Sequence, residues 1–107
     1  MEDQNRKIQE MQMAEQQLQN LLMQKQAFEM ESNEVSSALS ELENAGDETF
    51  KIIGGIMLKV PKNKIKEELE NKKKMLDLRN TTLSKQESLL TERLEKIREE
   101  LLSSNKK

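Results

Sequence analysis

Apolar residues recur with a period of seven along both ends of this chain, and a dense apolar patch separates the two periodic stretches. From about Asn5 to Asn44 there is neither Pro nor Gly. A heptad frame set on Met11 places Met11, Leu18, Lys25, Ser32 and Leu39 on one line and Ala14, Leu21, Phe28, Val35 and Leu42 on the other. Eight of these ten are apolar, which is the signature of a helix with one sticky stripe. Lys25 and Ser32 interrupt the stripe near its middle. The run Asn44-Ala45-Gly46 followed by Asp47 predicts a helix stop and a turn. A second Pro- and Gly-free stretch follows Pro61, which is tolerated at a helix start, and Asn63 is a candidate cap. There Leu69, Leu76, Leu83, Leu90 and Ile97 recur every seven residues. The companion line begins at Ile65, turns polar through Lys72-Lys73, Arg79-Asn80 and Gln86-Glu87, and becomes apolar again at Leu94 and Leu101. The pattern predicts helices over 5–45 and 62–104, each of ~40 residues and roughly 60 Å.

A one-stripe helix needs a partner. The connection is short, so the two helices are expected to fold back antiparallel. Placing Leu42 near Ile65 to Leu69 makes facing residue numbers add to about 108. Leu18 then meets Leu90, Met11 meets Ile97, and the polar interruptions fall level. Charge agrees with this pairing. The net charge is −2, but residues 1–48 hold three basic against eleven acidic residues, and residues 49–107 hold fifteen basic against nine acidic. Glu29, Glu31 and Glu34 are expected to face Lys72, Lys73, Lys74 and Arg79, setting orientation more than stability.

Between the helices lies TFKIIGGIMLKVP, with seven apolar residues in the twelve positions 49–60. Ile53-Gly54-Gly55-Ile56 suits a two-residue hairpin turn that needs positive φ. Ile53 and Ile56 then pair and share a face with Thr49, Lys51, Leu58 and Val60. Phe50, Ile52, Met57 and Lys59 take the other face. Both faces are largely apolar, both strands are edges, and a lone hairpin is marginal in water. Two flanking helices do not suffice to cover it. The hairpin residues Phe50, Ile52, Ile53, Gly54, Gly55, Ile56, Met57, Leu58 and Val60 are therefore expected to join a sheet or barrel built by several chains.

Composition narrows the chemistry. At 107 residues, 34% hydrophobic and 36% charged, with two Phe and no Trp or Tyr, the chain has the makings of long helices rather than of a globular core. Without Cys or His it has no disulfide, thiol nucleophile or imidazole. Gly54-Gly55 lacks the Lys-Ser/Thr ending of a phosphate loop, and no calcium-loop spacing surrounds Asp47-Glu48. No enzyme, cofactor or metal is expected. Lys62, Lys64, Lys66 and Lys72 to Lys74 make a basic stretch, which reads as a solvated helix face. With no stacking aromatic beside it and a pI of about 5.4, no nucleic-acid partner is expected. The polar start and the lack of an ~18-residue apolar run predict a soluble intracellular protein with no membrane partner.

The order helix, single hairpin, helix resembles the β-type subunits of prefoldin, a molecular chaperone. The likeness covers nearly the whole chain as one domain, 1–107. It is densest in FKIIGGIMLKVPKNKIKEELENKKKMLDLR and the later Gln86-Glu87. The family's aromatic-Lys pair is Phe50-Lys51, its apolar-Gly step Ile53-Gly54, and its strand ending in Lys is Ile56 to Lys59. Glu67-Glu68-Leu69, Arg79 and Gln24-Lys25-Gln26 also match. Phe50 stands where Tyr is more usual, and Gly55 makes a double glycine. One hairpin rather than two points to the β type. The resemblance implies an α2β4 hexamer with hairpins in a double β-barrel and coiled coils hanging from it. It implies that their tips hold unfolded proteins without ATP and deliver them to a group II chaperonin in the cytoplasm. The tip residues are then Ile8, Met11, Met13, Ala14 and Leu18 with Leu94, Ile97, Leu101 and Leu102. Met residues cluster at this end, at 1, 11, 13 and 23, and suit a surface that accepts many partners. The competing reading is a structural coiled-coil scaffold or adaptor that joins fixed native partners, best served by a parallel dimer.

Overall fold

The computed structural model describes residues 2–105; Met1, Lys106 and Lys107, the ends of the expected domain, lie outside them. Helix α1 runs Glu2–Asn44, strands β1 and β2 run Phe50–Ile53 and Ile56–Lys59, and helix α2 runs Lys62–Asn105. The expected mostly helical class, with two long helices joined by a short antiparallel hairpin, is what the chain adopts. The chain groups into two compact units. Unit 1 is the stretch up to Ala27 with that from Thr81 onward, and unit 2 is Phe28–Asn80.

The heptad frame matches the burial along α1. All ten frame positions from Met11 to Leu42 are buried or half-buried. On α2 the leucine line Leu69, Leu76, Leu83, Leu90 and Ile97 behaves the same way. The companion line is decided by the structure: Lys73, Asn80 and Glu87 turn inward and half-bury, while Lys72, Arg79 and Gln86 are exposed. From Ile65 to Lys73 inward positions fall four and four apart, and a regular three-four alternation follows. Cross-helix partners lie within each unit. In unit 1, Lys7 pairs with Glu100 at 3.4 Å and Lys25 with Glu87 at 3.1 Å. In unit 2, Ser32 donates to Asp77 at 3.0 Å, and Lys72 pairs with Glu31 at 3.1 Å. The residue numbers of these partners add to between 103 and 112, bracketing the expected register. Of the basic zone expected to face the glutamates, Arg79 instead sits over the Phe28 ring, 5.8 Å from its centroid. There it gains a cation–π contact.

The core is thin. Ala14, Val35, Leu76, Leu83, Leu94 and Ile97 are its buried apolar residues, and no described side chain is below 2% exposed. A two-helix seam has no second layer to close over it, so each seam residue keeps an open flank.

The end of α1 agrees with expectation and the start of α2 differs from it. Helix α1 stops at Asn44 as expected, without a left-handed glycine at its end; positive φ among the described residues belongs to Gly54 and Gly55. The helix closes with a tightened turn, the Ala45 amide donating to the Leu42 carbonyl at 3.2 Å, and Lys62 Nζ donates to the Ala45 carbonyl at 2.8 Å. Since α1 has no basic residue in its last turn, Lys62 supplies the cation that the negative end of the helix dipole favours. Asn63 is not the cap of α2. It lies within the helix, and the Pro61 carbonyl receives the amides of Lys64 and Ile65 at 3.0 and 3.3 Å.

Candidate functional site: an apolar hairpin and the helix ends of unit 1

The hairpin has the expected register: Phe50 faces Lys59, Lys51 faces Leu58, Ile52 faces Met57 and Ile53 faces Ile56. Gly54 and Gly55 have φ of +55° and +79°, the paired positive values that a type I′ turn demands. The Val60 amide donates to the Thr49 carbonyl at 3.0 Å, and the Thr49 hydroxyl donates to the Val60 carbonyl. Thr49 is buried, which anchors the base of the hairpin. Lys51 reaches Glu68 at 2.6 Å, tying β1 to α2 within unit 2.

Beyond that base the hairpin is open on both faces. Phe50, Ile52, Ile53, Ile56, Met57 and Leu58 are 46–69% exposed, although all six are large and apolar. Val60 is half-buried. A hairpin that offers apolar side chains up and down, with two free edges, is a surface made for more strands. Among the described residues no group of three or more acidic, His or Cys side chains is placed to hold a metal ion, and Glu48 lies 3.7 Å from Lys59.

The tip residues divide by exposure. Ile8, Met13 and Leu102 are open to solvent at 40, 64 and 57%. Met11, Leu18 and Leu101 are half-buried. Ala14, Leu94 and Ile97 are buried in the seam at 3, 6 and 5%. The division follows the heptad frame, because the residues off the two inward lines are the exposed ones. Heptad counting from the seam outward passed over a further set: Leu22, Met30, Met75, Leu78 and Leu89 are large, apolar and exposed. Their signal was available as apolar residues off the frame.

The family model for prefoldin subunits matches residues 5–107. The chain belongs to the prefoldin subunit family. Among its relatives, the prefoldin subunit beta of Pyrobaculum calidifontis is 41% identical over 90 residues, 82% of this chain and 72% of the relative. That of Pyrobaculum aerophilum is 40% identical over 90 residues, 82% and 71% of the two chains. The crystal structure of the prefoldin beta subunit from Thermococcus strain KS-1 superimposes with a TM-score of 0.89 at 30% identity, covering 95% of this chain and 91% of that one. Membership in the prefoldin family makes this a chaperone subunit that assembles with other prefoldin subunits. No helix among the described residues is long and apolar enough to cross a membrane.

Proposed function

We propose that this chain is a β-type subunit of an α2β4 prefoldin hexamer, acting over 1–107 as one functional domain, and that it captures unfolded proteins without ATP or any cofactor. The observation that carries the reading is the doubly apolar, edge-open hairpin in a chain of this family. Hairpins from six subunits would close into β-barrels, which removes every free edge at once. Phe50, Ile52, Ile53, Ile56, Met57, Leu58 and Val60 supply the contacts, and Gly54-Gly55 the turn. The helix ends of unit 1 supply client contacts, Ile8, Met13 and Leu102 directly and Met11, Ala14, Leu18, Leu94, Ile97 and Leu101 when the seam frays. Each end binds weakly, and several ends around one client multiply the effect through effective concentration. Clients then pass to a group II chaperonin in the cytoplasm. Nothing in this scheme calls for catalysis, nucleic acid or membrane.

Trimming residues 1–14 and 95–107 tests the reading. The shortened chain is expected to assemble with its partner subunits and to lose suppression of aggregation of a denatured client. Full suppression by the trimmed complex would refute the assignment of the helix ends.

A further inference from the structure

Two charges sit where the seam of unit 1 calls for leucine. Lys25 occupies the α1 line that elsewhere holds Met11, Leu18, Ser32 and Leu39, and Glu87 occupies the α2 line that passes through Lys73 and Asn80 and ends in Leu94 and Leu101. Lys25 Nζ lies 3.1 Å from Glu87 Oε2, and the side chains are only 28 and 30% exposed. Pairing offsets part of their lost hydration, but such a pair holds a seam less tightly than packed apolar residues of similar volume. Burial beside the pair is uneven. On the groove side of the pair Leu21 and Leu90 are half-buried, whereas Leu83, on its other side, is 8% exposed and Leu94 and Ile97 further along are 6 and 5% exposed. A groove of about 380 Å³ opens there, lined by Gln17, Asn20, Leu21, Gln86, Leu89 and Leu90. None of its six residues is charged, in a chain that is 36% charged. The groove lies next to the ion pair in sequence, Leu21 being four residues before Lys25 and Leu90 three after Glu87.

We propose that the Lys25–Glu87 pair is a latch on the seam of unit 1: closed, it keeps Leu21, Leu90 and Leu94 in the seam; parted, it frees them to meet an uncharged apolar segment of an unfolded chain. The second half of this statement rests on the chaperone reading above; the first half does not. The latch holds by electrostatics at a partly exposed site, so salt loosens it. Leucine in both places removes that sensitivity and closes the seam. Helices in proteins draw most of their stability from packing an apolar face against a partner, so parting the seam is read directly by amide exchange.

The experiment is hydrogen exchange by mass spectrometry on the full chain assembled with its prefoldin partner subunits, at 0.05 and 0.5 M salt. In the wild type, amides of residues 11–24 and 86–98 are expected to exchange faster at high salt, while those of 33–43 and 66–76 do not respond. K25L/E87L is expected to slow the first set at least about tenfold and abolish its salt response. K25E, which sets two carboxylates against each other, speeds it, and the swapped pair K25E/E87K restores the wild-type rate. Exchange that is the same in all four proteins, or blind to salt, overturns the latch. Suppression of client aggregation is measured on the same proteins and is expected to fall severalfold in K25L/E87L. Slowed exchange with undiminished suppression overturns the claim that the latch governs access. A wild type that suppresses nothing would instead refute the chaperone reading and leave the exchange result to decide the latch.

Discussion

Replacing Leu94 and Leu89 by alanine, one at a time, separates the seam from the surface within a single helix of unit 1. The two leucines are five positions apart on α2 and differ in exposure, 6% against 66%. At Leu94 alanine removes buried methyl groups and leaves a void between two helices that cannot collapse without bending. Such substitutions cost about 2–5 kcal/mol in packed cores, and a seam with open flanks belongs at the lower end, about 2–3 kcal/mol. At Leu89 most of the side chain already lies in water. The loss there is expected to stay within about 0.5 kcal/mol, and alanine's higher helix propensity offsets part of it. For a chain of this size, each kcal/mol moves the midpoint by roughly 4–8 °C. Leu94→Ala should therefore lower Tm by about 10–20 °C, and Leu89→Ala by less than about 4 °C. The assay is urea and thermal unfolding followed by far-ultraviolet circular dichroism, at one fixed chain concentration because assembly shifts the apparent stability. Equal losses at the two positions would refute the inward assignment of the Leu76, Leu83, Leu90, Ile97 line and its Leu94 companion, and with it the register.

Two further outcomes follow from the hairpin. The cross-strand pair Ile52 and Met57, 69 and 64% exposed, contributes to assembly and little to the fold of the lone chain, so I52K/M57K should keep its helix content while failing to join partner subunits in size-exclusion chromatography with light scattering. Gly55 has φ of +79° and no atom within 4 Å of where a Cβ would stand, so the cost of Gly55→Val is backbone strain rather than a clash. That strain, about 1–2 kcal/mol, should weaken assembly measurably, while Gly55→Asn at the same site should be milder because Asn tolerates positive φ.

Most of the fold was legible in the sequence because it rests on two strong periodic signals. The sevenfold recurrence from Leu69 to Ile97 and the ten-position frame of α1 both name inward residues that burial bears out. The hairpin register was equally readable, since a Gly-Gly pair between isoleucines leaves one way to pair the strands. What stayed hidden was local and polar. Counting alone left Lys72 or Lys73, Arg79 or Asn80 and Gln86 or Glu87 open, because either neighbour could complete the line. Packing decides among them, and the four-residue steps from Ile65 to Lys73 shift the frame to the second of each pair. The cap of α2 stayed hidden for a similar reason. Asn63 carries the right chemistry in nearly the right place, but the Pro61 carbonyl, two residues earlier, already receives the amides of Lys64 and Ile65. The surfaces were legible as chemistry and not as geometry: the apolar hairpin was plainly unburied, whereas the groove beside Leu21 and Leu90 depends on how two helices lie together in unit 1.

Native mass spectrometry of the intact chain, alone and mixed with a two-hairpin α-type prefoldin subunit, tests the central claim that the hairpin is an assembly surface and the chain a β-type subunit. A hexamer containing four copies of this chain and two of the partner is the predicted result. A stable dimer of this chain that ignores the partner would contradict it, and would give the structural scaffold reading the lead.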